Sequence, residues 1–360
     1  MSISFQIIDV FTHRRFLGNP LAIVILHHAD LDSIPTQSLT QQQKQLLARE
    51  FNLSETVFIH TTQRNHNDPS EPFVIDIFTT TEELPFAGHP TIGAGWFLAQ
   101  RWKTRTEFRL STRAGEILVT NTSRVNGSVG SANMDGVNED VPAKLVKLQV
   151  PIDFMTHPLY HSPGLSTLKS KVHQPELEPD DYVNGVEGAE PVASIVKGMS
   201  FILIQLSNEG ALARMKPLYG ITEAELRVPD NHLGDWKGFS SLYVFVIGSN
   251  DTHLGSADTN DSIFDEVTDT NANDIIRIRT RVLHSGGLED PATGSAASTL
   301  CGWLAVQKGA GKWRFEVIQG IEIGRESRIG VLVDVDGHGS VSKIELLGGA
   351  VKVAEGVLQV

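Results

Sequence analysis

Two similar stretches, Glu83 to Gln100 and Glu289 to Val306, each pass from a glycine into a run without charged side chains. At a constant offset along the chain, Gly88 of the first stretch corresponds to Gly294 of the second. A helix that begins at each glycine would present unpaired backbone N–H groups and a positive partial charge, which bind anions without a basic side chain. Taken singly, each stretch is better explained as a strand-to-helix turn, but the repeat favours a shared site for a small carboxylate.

An acid–base group is predicted at Glu55. In the segment LSETVFI, Leu53, Val57 and Ile59 share one face of a predicted strand, and Glu55 is in phase with them. A carboxylate on an apolar face is costly unless it is paired or functional, and partial burial suits it to proton transfer. The alternative is a glutamate at the rim of the sheet, with Phe58 on the true inner face.

Two further side chains stand at the predicted helix starts. His89 follows Gly88 and could donate a proton, although a lone histidine beside glycine and proline is more often a structural hydrogen-bonding group. Asp290 precedes the second glycine and could orient a ligand. As a lone residue, Asp290 is better explained as a cap of the second helix.

Composition excludes several classes of protein. The net charge of −13 disfavours a nucleic-acid-binding protein, but it does not exclude a small anionic substrate. The single cysteine, Cys301, excludes a disulfide framework and a racemase that uses a pair of thiols, and it fits a reducing compartment. No apolar run reaches the roughly 18 residues of a membrane span, and the first residues lack a signal sequence, so a cytoplasmic location is expected.

Motifs for metals and nucleotides are missing from the sequence. The thirteen histidines show no H-E-x-x-H spacing, and we predict no metal site. The segment GHPTIGAG does not follow the dinucleotide-binding order of glycines. The segment GAGKW at Gly309 to Trp313 lacks the Ser or Thr that a P-loop requires after its lysine.

The elements that would position these residues are mostly strands. The segments ISFQIIDVF and LAIVIL predict a hairpin at the N-terminus. The segment TQSLTQQQKQLLAREF predicts an amphipathic helix, with Thr36 or Ser38 as its cap and Asn52 at its end. Further strands lead into each of the two glycine stretches, and Asp336 to Gly339 predicts a hairpin turn.

Length and repetition predict two similar domains with an α+β fold. Each would be a curled, mostly antiparallel sheet around one buried, uncharged helix, with the ligand site between the domains. We place the domains at 1–126 and 127–360, allowing for the return of the last strand to the first domain. Two polar segments, His157 to Ser194 and Ser249 to Asn273, are expected to be inserted surface loops or locally disordered.

Several motifs, taken together, resemble the phenazine-biosynthesis PhzF-like proteins. They are DVFT and GNPLAIV between Asp9 and Val24, NLSET at Asn52 to Thr56, ELPFAGHPTIGAG at Glu83 to Gly95, and GLEDPATGSA at Gly287 to Ala296. The segment IQGIEIGRESRI, ending at Ile329, is also similar to that family. The resemblance covers most of the chain and implies the diaminopimelate epimerase-like fold, no cofactor and a homodimer.

The resemblance also implies roles for individual residues. Glu55 of NLSET would carry the proton, and His89, Asp290 and Ser295 would line the site. The related epimerases have a cysteine at each helix start, where this chain has His89 and Ser295, so racemisation by two thiols is not expected. The predicted substrate-binding set is Ser54, Gly88, His89, Asp290, Gly294 and Ser295.

These observations predict a cofactor-independent isomerase that moves a proton on a small anionic metabolite. Glu55 would remove the proton from a carbon next to an unsaturated or carbonyl system and return it elsewhere. Two alternatives stay open. The chain could be a metabolite-binding or interaction protein that keeps the cleft without turnover, or an amino-acid racemase with Glu55 as its only base.

Overall fold

The structure is a computed structural model that describes residues 2–27, 39–62, 68, 70–122, 145–161, 177–184, 189–219, 222–248, 263 and 275–360. The described part of its first half holds two helices, α1 (Gln41–Phe51) and α2 (Gly88–Arg101). The strands of this half are β1 (Ser2–Val10), β2 (Asn19–His27), β3 (Thr56–Thr61), β4 (Phe73–Phe78), β5 (Glu83–Leu84), β6 (Glu107–Thr112) and β7 (Gly115–Asn121).

Within its described residues, the second half has more strands, and three short helices precede its long helix. Its helices are α3 (Glu209–Arg214), α4 (Glu223–Leu226), α5 (Asp230–Leu233) and α6 (Gly294–Lys308). Its strands are β8 (Val146–Gln149), β9 (Met155–Thr156), β10 (Tyr160–His161), β11 (Ala189–Glu190), β12 (Val192–Val196), β13 (Met199–Gln205), β14 (Phe239–Ile247), β15 (Ile275–Leu283), β16 (Glu289–Asp290), β17 (Gly311–Gln319), β18 (Ser327–Val335), β19 (Val341–Gly348) and β20 (Ala350–Gln359).

The two halves repeat one order of strand pairing. In the first half, β1 pairs antiparallel with β2, β2 parallel with β3, β3 antiparallel with β4, β4 parallel with β6, and β6 antiparallel with β7. In the second half, β12, β13, β14, β15, β17 and β18 follow the same sequence of orientations. Strand β8 joins the halves, because it pairs with β7 of the first half and with β19 of the second, and β20 returns to pair with β1.

Each long helix is enclosed by the sheet of its own half. Helix α2 is buried from Gly88 to Ala99, and α6 is buried over most of its length, including Cys301. Both helices belong to one apolar cluster with the inward-facing residues of the surrounding strands. The predicted α+β architecture, a curled and mostly antiparallel sheet around a buried helix in each half, is therefore confirmed.

The structure tests three local predictions. Helix α1 begins one residue after Thr40, which forms a reciprocal capping pair with Gln43, whereas the predicted caps Thr36 and Ser38 lie outside the described residues. Asn52 ends α1, as predicted, and its backbone has a left-handed conformation. The hairpin turn at Asp336 to Gly339 is also present, between β18 and β19.

The first predicted insertion is not wholly a surface loop. His157 and Ser194, its two predicted ends, are buried, and a hydrogen bond of 2.7 Å joins their side chains. Strand β12 begins inside the segment and is buried because it packs in the sheet around α6. Of the second predicted insertion only Ile263 is described, and it is buried. None of the described helices has both the length and the apolar character of a membrane span.

Candidate active site

The N-termini of the two enclosed helices meet in the middle of the molecule. A methyl group built on Gly88 would lie 3.3 Å from the Cα of Gly294 and 3.2 Å from a methyl of Leu346. The side chain of Leu346 lies against both glycines. Neither helix start has a side-chain cap or an acidic residue in its first turn. The N–H groups of Gly88, Gly294 and the residues that follow them precede the first backbone hydrogen bonds of their helices. This junction therefore has the donors and partial charge of an anion site.

Glu55 lies in the first half of the chain, one residue before β3 begins. The prediction that it belongs to the strand is wrong, because the chain leaves Asn52 through a short turn and the ladder starts at Thr56. The predicted inner face, which Glu55 shares with Val57, is nevertheless the observed one. Val57 packs in the cluster around α2, whereas Phe58 packs in a separate cluster under α1. The side chain of Glu55 is 17% exposed.

Glu55 faces His89, the second residue of α2. Oε2 of Glu55 lies 3.2 Å from Nδ1 of His89, whose side chain is only 4% exposed. The two atoms are within ion-pair distance, but their alignment falls short of a hydrogen bond. Within the described residues, Glu55 Oε2 and His89 Nε2 are buried without a hydrogen-bond partner. Buried polar atoms are normally paired, so these two indicate a place for a polar ligand.

Asp290 reaches the same region from the second half. Its strand is anchored by the neighbouring Glu289, which makes two hydrogen bonds of 2.9 and 2.7 Å with the buried Arg281. Oδ1 of Asp290 accepts a hydrogen bond of 2.9 Å from Asn19, and Oδ2 accepts one from the hydroxyl of Thr293. The prediction that Asp290 caps α6 is wrong, since Thr293 holds the cap position and no side chain caps that helix.

The two carboxyl groups have pKa values that are shifted in opposite directions. Burial alone would raise the pKa of Glu55, but the charge of His89, the hydroxyl of Ser54 and the charge of His284 together hold it below its ordinary value. Burial and the negative charge of Glu55 raise the pKa of Asp290 above its ordinary value. Such a divergence assigns different protonation roles to two neighbouring acids, with Glu55 as the ionised member.

The two predicted serines belong to different halves of the chain. Ser54 is exposed, and its hydroxyl donates to Oδ1 of Asn19 at 3.3 Å. Ser295 is the second residue of α6 and is partly exposed, and its hydroxyl has no hydrogen bond in the part of the chain that the structure describes. The structure thus brings together Ser54, Glu55, Gly88, His89, Asp290 and Gly294 with Ser295 beside them.

Three residues of this region do not belong to the predicted site. Asn19 lies in the segment GNPLAIV, one of the motifs that carry the family resemblance. Gln319 donates to the carbonyl of Asp290 at 2.8 Å and to the hydroxyl of Thr293 at 3.0 Å, and so it braces the start of α6. His284 acts electrostatically on both carboxyl groups. No local pattern marks His284, because its nearness to them depends on the pairing of β15 with β16.

Among the described residues there is no group of three or more His, Cys, Asp or Glu side chains that could hold a metal ion. Burial raises the pKa of the Cys301 thiol well above its usual range, so it stays protonated inside α6. The carboxyl and imidazole groups of this arrangement can transfer protons, beside backbone donors that stabilise negative charge.

Comparison with known proteins gives consistent matches along the chain. The family model described as phenazine biosynthesis-like protein matches residues 8–233 and 252–356. An uncharacterised isomerase of Mesorhizobium japonicum is 30% identical over 362 aligned positions, which cover 99% of this chain and 98% of the relative. The trans-2,3-dihydro-3-hydroxyanthranilate isomerase of Pseudomonas aeruginosa is 26% identical over 356 positions, with 98% of each chain covered.

Among solved structures, the crystal structure of a PhzF-family phenazine biosynthesis protein from Bacillus anthracis is similar to this chain with a TM-score of 0.68. The two chains are 19% identical, and the similarity covers 100% of both. This likeness shows that they share one fold.

Proposed function

Because the chain belongs to the phenazine biosynthesis-like protein family, and its relatives from Mesorhizobium japonicum and Pseudomonas aeruginosa are named isomerases, we propose that it moves a proton on a small carboxylate-bearing metabolite through Glu55. One observation carries this proposal. The partly buried carboxyl group of Glu55, with its pKa lowered, adjoins a buried histidine at the junction of two uncapped helix starts. A base that is ionised at neutral pH and lies beside an anion site suits the removal of a proton next to a carboxylate or carbonyl group.

The proposed reaction needs no other reactant. Glu55 takes a proton from a carbon, and the electron pair of the broken C–H bond moves into the adjacent unsaturated system. The negative charge that develops on an oxygen of the substrate would be stabilised by the N–H groups of Gly88, His89, Gly294 and Ser295. Glu55 then returns the proton to another carbon of the same system, which restores the carboxylate and leaves an isomer of the substrate.

Asp290 would serve a different role in this scheme. Its raised pKa makes it the acid that takes up a proton more readily as the pH falls, and Asn19 and Thr293 already orient its two oxygens. We propose that it holds an amino or hydroxyl group of the substrate, with Ser295 on the other side of the helix start. Ser54 would support Glu55 from the adjacent turn.

The name of the relative from Pseudomonas aeruginosa supports a substrate class. Trans-2,3-dihydro-3-hydroxyanthranilate is an amino-carboxylate on a partly unsaturated ring, and a proton can move between ring carbons of such a molecule. We propose a small unsaturated amino- or hydroxy-carboxylate as the substrate of this chain. That class fits a site whose donors are backbone N–H groups at helix starts.

The direct test is incubation of the protein in D₂O with trans-2,3-dihydro-3-hydroxyanthranilate and with a panel of amino and hydroxy acids, followed by proton NMR. Deuterium that enters a carbon position with formation of an isomer supports the proposal. Binding without exchange would instead indicate a metabolite-binding protein. Exchange at the α-carbon with loss of optical rotation would indicate a racemase with a single base.

The variant Glu55→Gln tests the base directly. General acid–base catalysis contributes about 10²–10⁴-fold, so kcat should fall by about that factor while the fold is kept. The matched control is Glu50→Gln at the exposed end of α1, which should keep the wild-type rate. Unchanged turnover in Glu55→Gln would remove this residue from the reaction.

A further inference from the structure

Asn19 connects the two halves of the candidate site through one side-chain amide. Its Nδ2 donates to Oδ1 of Asp290 at 2.9 Å and to the carbonyl of Ala292 at 3.0 Å, and its Oδ1 accepts from the hydroxyl of Ser54 at 3.3 Å. Asn19 is 1% exposed. One buried amide group thus touches the turn that carries Glu55 and the strand that carries Asp290.

The backbone around Asn19 is built to aim this amide. Asn19 is the first residue of β2, and Gly18 before it has a φ of +68°. A methyl group on Gly18 would lie 2.3 Å from the carbonyl oxygen of Val10, so only glycine fits there. Arg325 donates to the carbonyl of Gly18 at 2.9 Å and to the buried Asp9 at 2.6 Å, which ties this corner to the second half.

The contacts require a group that donates and accepts at the same time. A carboxylate at position 19 would lack the donor for Asp290, and an alanine would lack both functions. We propose that Asn19 is a positioning residue that holds Asp290 in register with Glu55 for the proton transfer. This inference rests on the proposed function, and it adds a residue that acts through Asp290 without touching the substrate.

Two variants separate positioning from simple structural support. Asn19→Ala removes the donor, and a displacement of Asp290 by about 1 Å would lower kcat by about 10²-fold, with a smaller effect on KM. Asn19→Asp keeps the shape but sets a second carboxyl group against Asp290. Two carboxyl groups at this distance share one proton as the pH falls. The protonated side chain would then donate to Asp290 and restore the contact.

The expected signature is a recovery of kcat in Asn19→Asp as the pH is lowered, before Glu55 takes up its own proton. Asn19→Ala and the wild type should show no such recovery. The charged groups that act on Asp290 are Glu55, His89 and His284, and Arg325 lies beside Gly18. They are present in every variant, so the difference between the two variants at position 19 isolates the contact.

A second asparagine offers a matched control. Asn184 donates to the carbonyl of Leu203 at 3.2 Å and accepts from the N–H of Gln205 at 2.7 Å, in the layer outside the second sheet. Asn184→Ala should lower the midpoint of urea unfolding without changing kcat or its pH profile. If Asn184→Ala and Asn19→Ala lower kcat equally, positioning by Asn19 is overturned.

One readout needs no turnover. With ¹³C-labelled aspartate, assigned through Asp290→Asn, NMR titration follows the carboxyl group of Asp290 directly. Loss of the Asn19 donor disfavours the charged form, so Asn19→Ala should raise the pKa of Asp290 further. An unchanged titration would overturn the proposed contact. If the contact is confirmed but no substrate exchanges deuterium in the wild type, the proposed function fails and the role of Asn19 in orienting Asp290 stands.

Discussion

Gly88→Ala tests the idea that the two helix starts act as one site. The added methyl group would lie 3.3 Å from the Cα and 3.4 Å from the carbonyl carbon of Gly294. Carbon atoms pack at about 3.5–4.0 Å, and the atoms in the way belong to a backbone that cannot rotate aside. The helix starts would therefore have to separate by a few tenths of an ångström. A displacement of 1 Å lowers the rate by about 10²-fold. Because the displacement here is smaller, we expect kcat/KM to fall by roughly tenfold, which corresponds to about 1.4 kcal/mol.

The stability of this variant should change little. Alanine is favoured over glycine within a helix by up to about 1 kcal/mol, which offsets part of the overpacking. The matched control is Gly95→Ala in the same helix, where the methyl group would lie 2.6 Å from a methyl of Val119. That overlap is worse, and the β-branched valine is stiff, so about 1–3 kcal/mol of the free energy of unfolding should be lost.

The pair of variants gives opposite outcomes in two assays. The rate of deuterium exchange into substrate measures kcat/KM, and urea unfolding followed by circular dichroism measures stability. We expect Gly88→Ala to lose activity and keep stability, and Gly95→Ala, about two helical turns away, to lose stability and keep activity. A shared site at the two helix starts is contradicted if Gly88→Ala retains the wild-type kcat/KM, or if the two variants lose activity in proportion to stability.

Two further predictions concern charged groups. His89→Gln should raise the pKa of Glu55, because His89 favours the ionised carboxylate, and the acid limb of the kcat/KM profile should move to higher pH. The control His338→Gln, in an exposed turn, should leave that limb in place, and an unmoved limb in His89→Gln would contradict the pairing. Asp76→Asn should cost about 3–5 kcal/mol in urea unfolding at pH 7, because it leaves the buried Lys44 without its carboxylate partner. Since the pKa of Asp76 is lowered in the folded state, this difference from the wild type should shrink as the pH falls through that pKa, and a constant difference would argue against the ion pair.

Much of the architecture could be predicted because it depends on local patterns. The uncharged runs after Gly88 and Gly294 indicated helices that are buried all round, and their repetition indicated two similar halves. The alternation around Glu55 identified its inward side correctly, even though β3 begins only at Thr56. Polar composition was a weaker guide. It predicted a surface loop up to Ser194, whereas β12 is buried once neighbouring strands cover it.

The candidate site could also be predicted only in part. Glu55, His89 and Asp290 are side chains that can transfer or hold a proton, and each stands next to a glycine or a turn that is visible in the sequence. Their mutual distances are not visible there. The protonation preferences of Glu55 and Asp290 depend on burial and on each other's charge, which arise only when the halves close.

Propensity, periodicity and backbone chemistry act over a few neighbouring residues, so the two helix starts, the alternating strands and the acid–base side chains are visible in the sequence. It is the folded chain that brings Asn19 to Asp290 across 271 positions and places Gly88 against Gly294. Such contacts depend on how two sheets close around their helices and join through β8, β19 and β20. The way the two sheets close depends on packing throughout the molecule, so it cannot be read from any single segment of the sequence.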